Sequence, residues 1–547
     1  MIFVESSLNS QNEHNTATQY KNMRTKPLQR EGRSVHLNVV AGFISWPVSL
    51  IAAVLGQPIF VHNLGSENYG IYLLATSVVA QLTSVNLNVG RALTRKLSMA
   101  MVVDGDRNPQ DEASIDELLL TSFSLCLLIA LVSGLALAVS ARWITIHVLR
   151  VQPSIQATTI AALYIGSAAV AATFIYQFIA SIPQALQRFD LYAYVTIGVT
   201  VATIGGNCAL AIAGFGVPSL MLWTVAVCII STVVLWLECR PLLPKIRWHL
   251  SFNRQVISSV VRFGGAVTLY AVLGSLISLA ERVIVARYCG TAGVTYYSIP
   301  MLMGIYIHSA TAALTLVVFP LASQAVASRD IERLKRLYTR AYKYIAPLIA
   351  FAVTLSLIGG NVVLAIWIGP GFAEHAKGLF GIDALTFGLV AFGIIPWQVI
   401  EGMGFPGWNA KLAIIWAVIA IPGMLILAPR IGILGPAIAR LLSVTTVFGY
   451  TYLVEKRVFG GILWSFWRLT FARVTVACVI AGLTLHLFLR LYAPGWFSMG
   501  AASGIASVVF VGVLCASGLW GKNELSDIRQ LFHVLKGDSR SDVPEEL

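Results

Sequence analysis

The stretch VPSLMLWTVAVCIISTVVLWLE, residues 217–238, decides the fold class of this chain. It carries one charge, Glu238, at its end, and it is long enough to cross a bilayer, which takes roughly 20 apolar residues. Similar runs follow one another from Val39 to Trp520. Over the whole chain 57% of residues are hydrophobic and 12% are charged, against about 25% charged in soluble domains. We therefore expect a membrane protein.

The apolar runs predict an all-α fold with about fourteen transmembrane helices. Backbone groups in lipid must bond within the protein, so each span is a helix or a barrel strand. Barrel strands are about 10 residues long and alternate in polarity, whereas these runs are longer and do not alternate. The predicted spans are 39–61, 71–89, 118–141, 157–182, 193–215, 217–238, 263–286, 294–319, 345–368, 384–404, 412–428, 432–454, 469–488 and 500–520.

Basic residues are distributed unequally between the two sides of these spans. With the N-terminus in the cytoplasm, most of the 38 Lys and Arg residues fall in cytoplasmic tails and loops. The opposite side holds only Arg142, Arg150, Arg282, Arg287, Lys377, Arg430 and Arg490. This bias follows the positive-inside rule and predicts that both termini are cytoplasmic. The net charge of +13 is thus explained by topology, and no nucleic-acid partner is expected.

Two pairs of motifs indicate an internal repeat. At a constant offset of 225 residues, His62–Tyr72 aligns with Arg287–Tyr297, each segment joining the first two spans of a half. Gly214–Pro218 and Gly432–Pro436 each open a sixth span. Because six is an even number, the halves would be parallel repeats, and transporters built in this way often have the substrate site between the repeats. The last two spans form an appended hairpin.

The spans and the repeat predict how the chain is divided. The parts are a disordered cytoplasmic tail (1–38), an N-terminal six-helix bundle (39–239), a cytoplasmic linker (240–262), a C-terminal six-helix bundle (263–454), appended helices 13 and 14 (455–520) and a cytoplasmic tail (521–547). Residues 328–343 place apolar residues at helical spacing among basic ones, which predicts an amphipathic helix at the membrane surface. The seven cysteines lack metal-ligand spacing, so no metal site is predicted.

Several short motifs, in this order, resemble the polysaccharide-repeat-unit flippases (Wzx-like), a branch of the superfamily that also holds multidrug exporters and lipid II flippases. The motifs are LGSENYGIYLL (64–74), NLNVGRALTRKLS (86–98), ALQRFDLY (185–192), ERVIVARYCG (281–290), WIGPGFA (367–373) and GILGPAIA (432–439). One departure is Asn86-Leu-Asn88, where many relatives carry an aspartate. These two asparagines do not supply the carboxylate of those relatives.

The resemblance implies a transporter of the bacterial inner membrane, with two parallel six-helix bundles around a central cavity, and no enzymatic activity. Its substrate would be an undecaprenyl-diphosphate-linked oligosaccharide, flipped by alternating access for O-antigen, capsule or exopolysaccharide synthesis. Membrane lipids, a polysaccharide polymerase and a chain-length regulator are the other expected partners. The resemblance implies no cofactor, and coupling to a proton or Na⁺ gradient is an open expectation.

Charged side chains within the spans are the candidates for substrate binding, because each costs about 2.5–3.5 kcal/mol to insert. Arginine suits a diphosphate, since its planar fork binds two phosphate oxygens at once. We predict that Arg282, Arg440, Arg91 and Arg287 bind the diphosphate. Two alternatives stay open: Arg91 and Arg287 extend to lipid headgroups, and Glu281 forms a structural ion pair with Arg440.

Two glutamates are candidates for ion coupling. Glu281 lies in span seven and Glu401 near the inner end of span ten, where a carboxylate kept from water takes up a proton more readily. Each could equally be a static partner of a cation. Since adjacent residues on a helix point in different directions, Glu281 and Arg282 cannot both face a cavity squarely.

Uncharged polar and aromatic residues would suit a sugar pathway. The candidates are Gln57, Asn86, Asn88, Tyr270 and Tyr297, although single polar residues in spans often join one helix to another. Pro47 and Pro58 in the first span would allow it to bend.

Two other functions compete with the flippase. One is a cation-coupled multidrug and toxin exporter. The other is a membrane glycosyltransferase or polymerase, against which the short external connections and the lack of a phosphate-binding or nucleophile motif argue.

Overall fold

The computed structural model describes residues 31–84, 109–185, 188–242, 249–315, 318–405 and 407–521, although not every side chain within them. These residues form helices and turns, and no strand occurs among them. The expected all-helical membrane class is confirmed.

The α-helices are numbered in chain order. They are α1 Glu31–Ser84, α2 Pro109–Trp143, α3 Pro153–Ala185, α4 Phe189–Ile212, α5 Val217–Cys239, α6 Arg254–Leu314, α7 Val318–Ala327, α8 Ile331–Trp367, α9 Pro370–His375, α10 Leu379–Phe392, α11 Ile394–Gly402, α12 Gly407–Ile431, α13 Leu434–Val444, α14 Val447–Val458, α15 Trp464–Leu491 and α16 Trp496–Ala516. A π-helical turn, Ile144–Val148, follows α2, and a 3₁₀ turn, Arg240–Leu242, follows α5.

In the described part of the chain, 10 helical segments are long and apolar enough to cross a membrane. They correspond to predicted spans three to six and nine to fourteen. The described residues of the other four predicted spans lie mainly in α1 and α6, which are 54 and 61 residues long and each contain one break. The exact number of fourteen stays a prediction.

The breaks in α1 and α6 lie at two glycines that the 225-residue offset aligns. Gly65 has φ 75° and ψ 161°, and Gly290 has φ 75° and ψ 175°. Positive φ is unfavourable for a residue with a side chain, whereas glycine adopts it readily. Each long helix is therefore interrupted at its glycine, which divides it into two helical segments. Gly214 and Gly432, from the second pair of motifs, also have positive φ, 83° and 62°. The repeated sequence thus adopts a repeated backbone, which supports the internal repeat.

The helices pack into two groups that meet along α1 and α6. In the N-terminal group (α1–α5), α3 packs against α2 and α5, and α1 packs against α3 and α4. In the C-terminal group (α6–α14), α6 packs against α10 and α12, and α12 packs against α13. The hairpin of α15 and α16 packs against α8. The contact between α1 and α6 therefore joins the two groups.

We call the end of the molecule at which Gly65 and Gly290 lie the kink end. An apolar cluster there contains buried residues of both groups, among them Phe60 of α1, Val285 of α6 and Trp367 of α8. Because the two groups share this core, they are closed against each other toward the kink end.

The amphipathic segment 328–343 lies mainly inside α8, which begins at Ile331. Leu334, Tyr338 and Tyr342 have no solvent exposure and pack against the C-terminal helices and α15. Tyr338 also donates a hydrogen bond to the buried carboxylate of Glu455 in α14 (3.1 Å). The helical spacing is as predicted, but its apolar face covers protein instead of lipid, since periodicity does not identify which apolar surface a face meets.

Candidate functional site at the junction of the two helix groups

Glu281 and Arg440 form a buried ion pair. Glu281 in α6 has no solvent exposure, and the side chain of Arg440 in α13 is 13% exposed. Arg440 Nη1 donates to Glu281 Oε2, and the Tyr297 hydroxyl donates to Oε1 at 2.9 Å. The Arg440 guanidinium also lies over the Phe387 ring, 4.6 Å from Cζ to the centroid. Both carboxylate oxygens are satisfied, as a stable buried pair requires.

Arg282 faces the other way from its neighbour Glu281. Its Nη1 donates to the Ser77 hydroxyl in α1 at 2.6 Å, and its Nε donates to the Ser298 hydroxyl at 3.4 Å. Ser77 belongs to the N-terminal group, so Arg282 crosses the junction between the groups. The divergence expected for adjacent helical residues is what the structure shows. One turn of α6 thereby connects the buried ion pair to the opposite helix group.

Asp383 in α10 adds a second buried acid to this region. Asp383 is 1% exposed, and neither of its carboxylate oxygens has a hydrogen-bond partner among the described residues. It interacts electrostatically with Glu281 and Arg440. A buried carboxylate without a hydrogen bond is energetically costly. Asp383 is therefore the acid in this cluster best suited to take up a cation.

The N-terminal side of the junction has a neutral polar network. The Tyr69 hydroxyl donates to Gln57 Oε1 at 2.7 Å. Asn207 Nδ2 donates to the Tyr72 hydroxyl at 3.1 Å and to Thr224 Oγ1 at 3.2 Å. Gln57 thus lies in a hydrogen-bonded helix contact. The described polar groups of the two sides therefore differ in charge. Those of the N-terminal group are amides and hydroxyls, whereas the C-terminal group contributes Glu281, Arg440 and Asp383.

The remaining predicted residues lie apart from this cluster or outside the described part. Arg287 is exposed, 5.9 Å from the ring centroid of Tyr288, as expected for a side chain that reaches headgroups. Glu401 accepts a hydrogen bond from the Trp397 indole at 2.9 Å. Arg91, Asn86, Asn88 and the side chain of Tyr270 lie outside the described residues.

Sequence reasoning missed two members of the cluster. Asp383 stands one residue before the predicted start of span ten at 384, so it was assigned to the external loop, whereas α10 begins at Leu379. Ser77 carries no signal as a single serine in an apolar run. Its contact with Arg282 joins residues 205 positions apart, and only the packing of α1 on α6 brings them together.

The fold is that of a helical membrane protein with charged groups buried at the junction of its two helix groups, and comparison with known proteins gives the family. Residues 59–375 match the family described as "Polysaccharide biosynthesis protein", which is more than half of the chain. The chain belongs to this family, as its motifs indicated. A Shigella flexneri protein described as "Putative O-antigen transporter" is 23% identical over 177 residues, which is 32% of this chain and 42% of that protein. The match thus spans less than half of that relative.

Solved structures share the fold at low sequence identity. The structure described as "Lipid II flippase MurJ, inward closed conformation" superposes with a TM-score of 0.65 at 13% identity, covering 87% of this chain and 97% of that one. An inward-facing multidrug resistance MATE family transporter of the MOP superfamily gives 0.61 at 14% identity, covering 76% and 98%. One of these structures is of a transporter and the other of a flippase, and at these identities the likeness shows a shared fold.

Proposed function

We propose that the protein is a flippase that moves an undecaprenyl-diphosphate-linked oligosaccharide across the bacterial inner membrane for O-antigen, capsule or exopolysaccharide synthesis. The observation that carries this proposal is the family match over residues 59–375. The description of the Shigella relative and the fold shared with a lipid II flippase agree with it.

Alternating access between the two helix groups is the proposed mechanism. The groups share an apolar core toward the kink end, so in this conformation the substrate would enter from the opposite end. Among the residues that the structure describes, most Lys and Arg lie toward that opposite end, which we assign to the cytoplasm by the positive-inside rule. The kink end is then the external face, and the termini are cytoplasmic.

Arg282 is the arginine that we favour for binding the diphosphate. Its hydrogen bonds to described residues go to serine hydroxyls. Phosphate oxygens can replace these hydroxyls, because charge-assisted hydrogen bonds are roughly twice as strong as neutral ones. Arg440 is already neutralised by Glu281, so its proposed role is to hold the ion cluster. Arg91 and Arg287 stay candidates for contacts with the headgroup on entry and exit.

A proton or sodium gradient is the proposed energy source, acting through Glu281 and Asp383. The carboxylate of Glu281 accepts hydrogen bonds from Arg440 and Tyr297, whereas that of Asp383 has no hydrogen-bond partner among the described residues. Binding of a cation at Asp383 would change the charge balance around Arg440. Because Arg282 directly follows Glu281, the partner of Arg440, in α6, this change would reach the junction between the helix groups.

Replacing Asp383 by asparagine is expected to leave the protein folded and to remove the dependence of transport on the gradient. The change removes an unpaired buried carboxylate and keeps the side-chain shape, so stability should not fall. Transport by reconstituted protein would be measured with and without an imposed proton or sodium gradient. Glu374→Gln, at an acid whose side chain is 75% exposed, is the matched control. A gradient response that survives Asp383→Asn would place coupling elsewhere.

Deletion of the gene tests the proposed substrate. We expect lipid-linked oligosaccharide to accumulate on the cytoplasmic face and surface polysaccharide to be lost, with both restored by the wild-type chain. Chemical labelling of the sugar in intact cells and in inverted vesicles measures the side on which it accumulates. Normal surface polysaccharide together with new drug sensitivity would contradict the flippase and favour a multidrug exporter, the second candidate, whose fold this chain shares.

A further inference from the structure

A proline in α1 leaves one carbonyl without its helical donor. Proline has no N–H, so Pro58 cannot bond the carbonyl of Val54, four residues earlier. The indole of Trp367, the last residue of α8, donates to this carbonyl with an Nε1–O distance of 3.0 Å. Trp367 is 9% exposed. The Val54 carbonyl of the N-terminal group, which Pro58 leaves without a helical donor, thus accepts a hydrogen bond from Trp367 of the C-terminal group.

The same arrangement occurs twice more within the described chain. The Tyr342 hydroxyl donates to the carbonyl of Phe392 at 2.9 Å, four residues before Pro396. The Trp520 indole donates to the carbonyl of Lys343 at 3.1 Å, four residues before Pro347. Both of these contacts join elements on the C-terminal side of the chain. The Trp367–Val54 contact differs because it joins α8 to α1, across the boundary between the two groups.

Two other contacts between the groups near the kink end are small or polar, beside the apolar core described above. The Thr295 hydroxyl donates to the Ser66 carbonyl at 2.7 Å. A Cβ added at Gly70 would lie 1.9 Å from the Thr291 carbonyl oxygen, so the backbones are in close contact there. Contacts of this kind can separate without breaking a helix. The proline-freed carbonyl has the same property, since it takes no part in the hydrogen-bond ladder of α1.

We propose that Trp367 is a positioning residue of an external gate, in which its indole N–H holds the C-terminal group against the carbonyl that Pro58 frees in α1. The proposal rests on the transport function proposed above. In each cycle the bond breaks when the kink end opens and forms again when it closes. Pro58 supplies the acceptor, Trp367 supplies the donor, and neither contacts the substrate.

Trp367→Phe keeps an aromatic ring and removes the donor. The reporter is Ser298→Cys, since Ser298 is 5% exposed and lies on α6 eight residues after the break at Gly290. A membrane-impermeant maleimide is added to intact cells, and labelling is compared with that of the chain without the reporter, which corrects for the seven native cysteines. We expect Trp367→Phe to label about five-fold faster than the reporter parent, the change that loss of one hydrogen bond gives in a two-state ratio.

Trp520→Phe is the matched control, because it removes an indole bond to a proline-freed carbonyl without separating the groups. Its labelling should equal that of the reporter parent. Pro58→Ala is the second variant, since it gives the Val54 carbonyl a donor within α1. We expect it to raise labelling as Trp367→Phe does, and the two changes together should add nothing further.

Labelling of Trp367→Phe at the parent rate would overturn the gate role, as would an equal rise in Trp520→Phe. Full addition of the Trp367→Phe and Pro58→Ala effects would also contradict it. The readout follows opening of the protein and requires no substrate. Failure of the gate is therefore distinguishable from failure of the flippase, which surface polysaccharide reports.

Discussion

Replacing Arg440 by alanine is expected to abolish export and to lower the stability of the protein by about 3–5 kcal/mol. The change leaves Glu281 buried with no solvent exposure and with only the Tyr297 hydroxyl on one of its oxygens. Removal of one partner of a buried pair costs more than the pair itself contributes, because the remaining charge is uncompensated. Thermal unfolding of the purified protein in detergent and the surface polysaccharide of complemented cells are the measurements.

Three further variants separate charge pairing from other effects. Arg440→Lys keeps the cation and should retain much of the stability. The double variant Glu281→Gln with Arg440→Gln leaves no unpaired charge, so its loss should be smaller than that of Arg440→Ala. Arg430→Ala removes an exposed arginine at the end of α12 and should be neutral. Normal export and stability in Arg440→Ala would show that the pair is not needed.

Replacing Gly70 by alanine is expected to prevent the two helix groups from closing at the kink end. The added Cβ would lie 1.9 Å from the carbonyl oxygen and 2.7 Å from the carbonyl carbon of Thr291, and backbone atoms cannot rotate away. Overpacking of this kind costs about 1–3 kcal/mol or more, and here the cost falls on the closed state. We expect a large loss of surface polysaccharide and faster external labelling of Ser298→Cys.

The control for Gly70→Ala is Gly198→Ala in α4. Gly198 is exposed, and an added Cβ there would meet no atom within 4 Å. Alanine favours helix over glycine by about 1 kcal/mol, so this variant should fold and export at least as well as the wild type. If Gly70→Ala exported as well as Gly198→Ala, closure at Gly70 would not be part of the transport cycle.

Local sequence predicted most of the fold, because the features that specify it are local. Apolar runs set the helices, and the 225-residue offset aligned the two connecting segments in which the structure has breaks, at Gly65 and Gly290. The sequence also placed Glu281 and Arg440 among the candidates and offered an ion pair as one alternative. Which alternative holds depends on how α6 packs against α13, and no local pattern encodes that packing.

The contacts across the junction were beyond sequence reasoning for the same reason. Ser77 and Val54 are ordinary residues of an apolar helix, and their partners Arg282 and Trp367 lie in helices of the other group. The sequence had assigned Pro58 only a role in bending α1. The structure shows a more specific consequence, which is that the Val54 carbonyl accepts a hydrogen bond from Trp367 of α8.

Flipping by the purified protein in proteoliposomes tests the central proposal most directly. An undecaprenyl-diphosphate oligosaccharide with a labelled sugar is placed in both leaflets, and an impermeant reagent reports the label that reaches the outer leaflet. We predict that wild-type vesicles expose the label of the inner leaflet, whereas protein-free vesicles and Arg440→Ala vesicles do not. Exposure by the wild-type protein no greater than in protein-free vesicles would contradict the account.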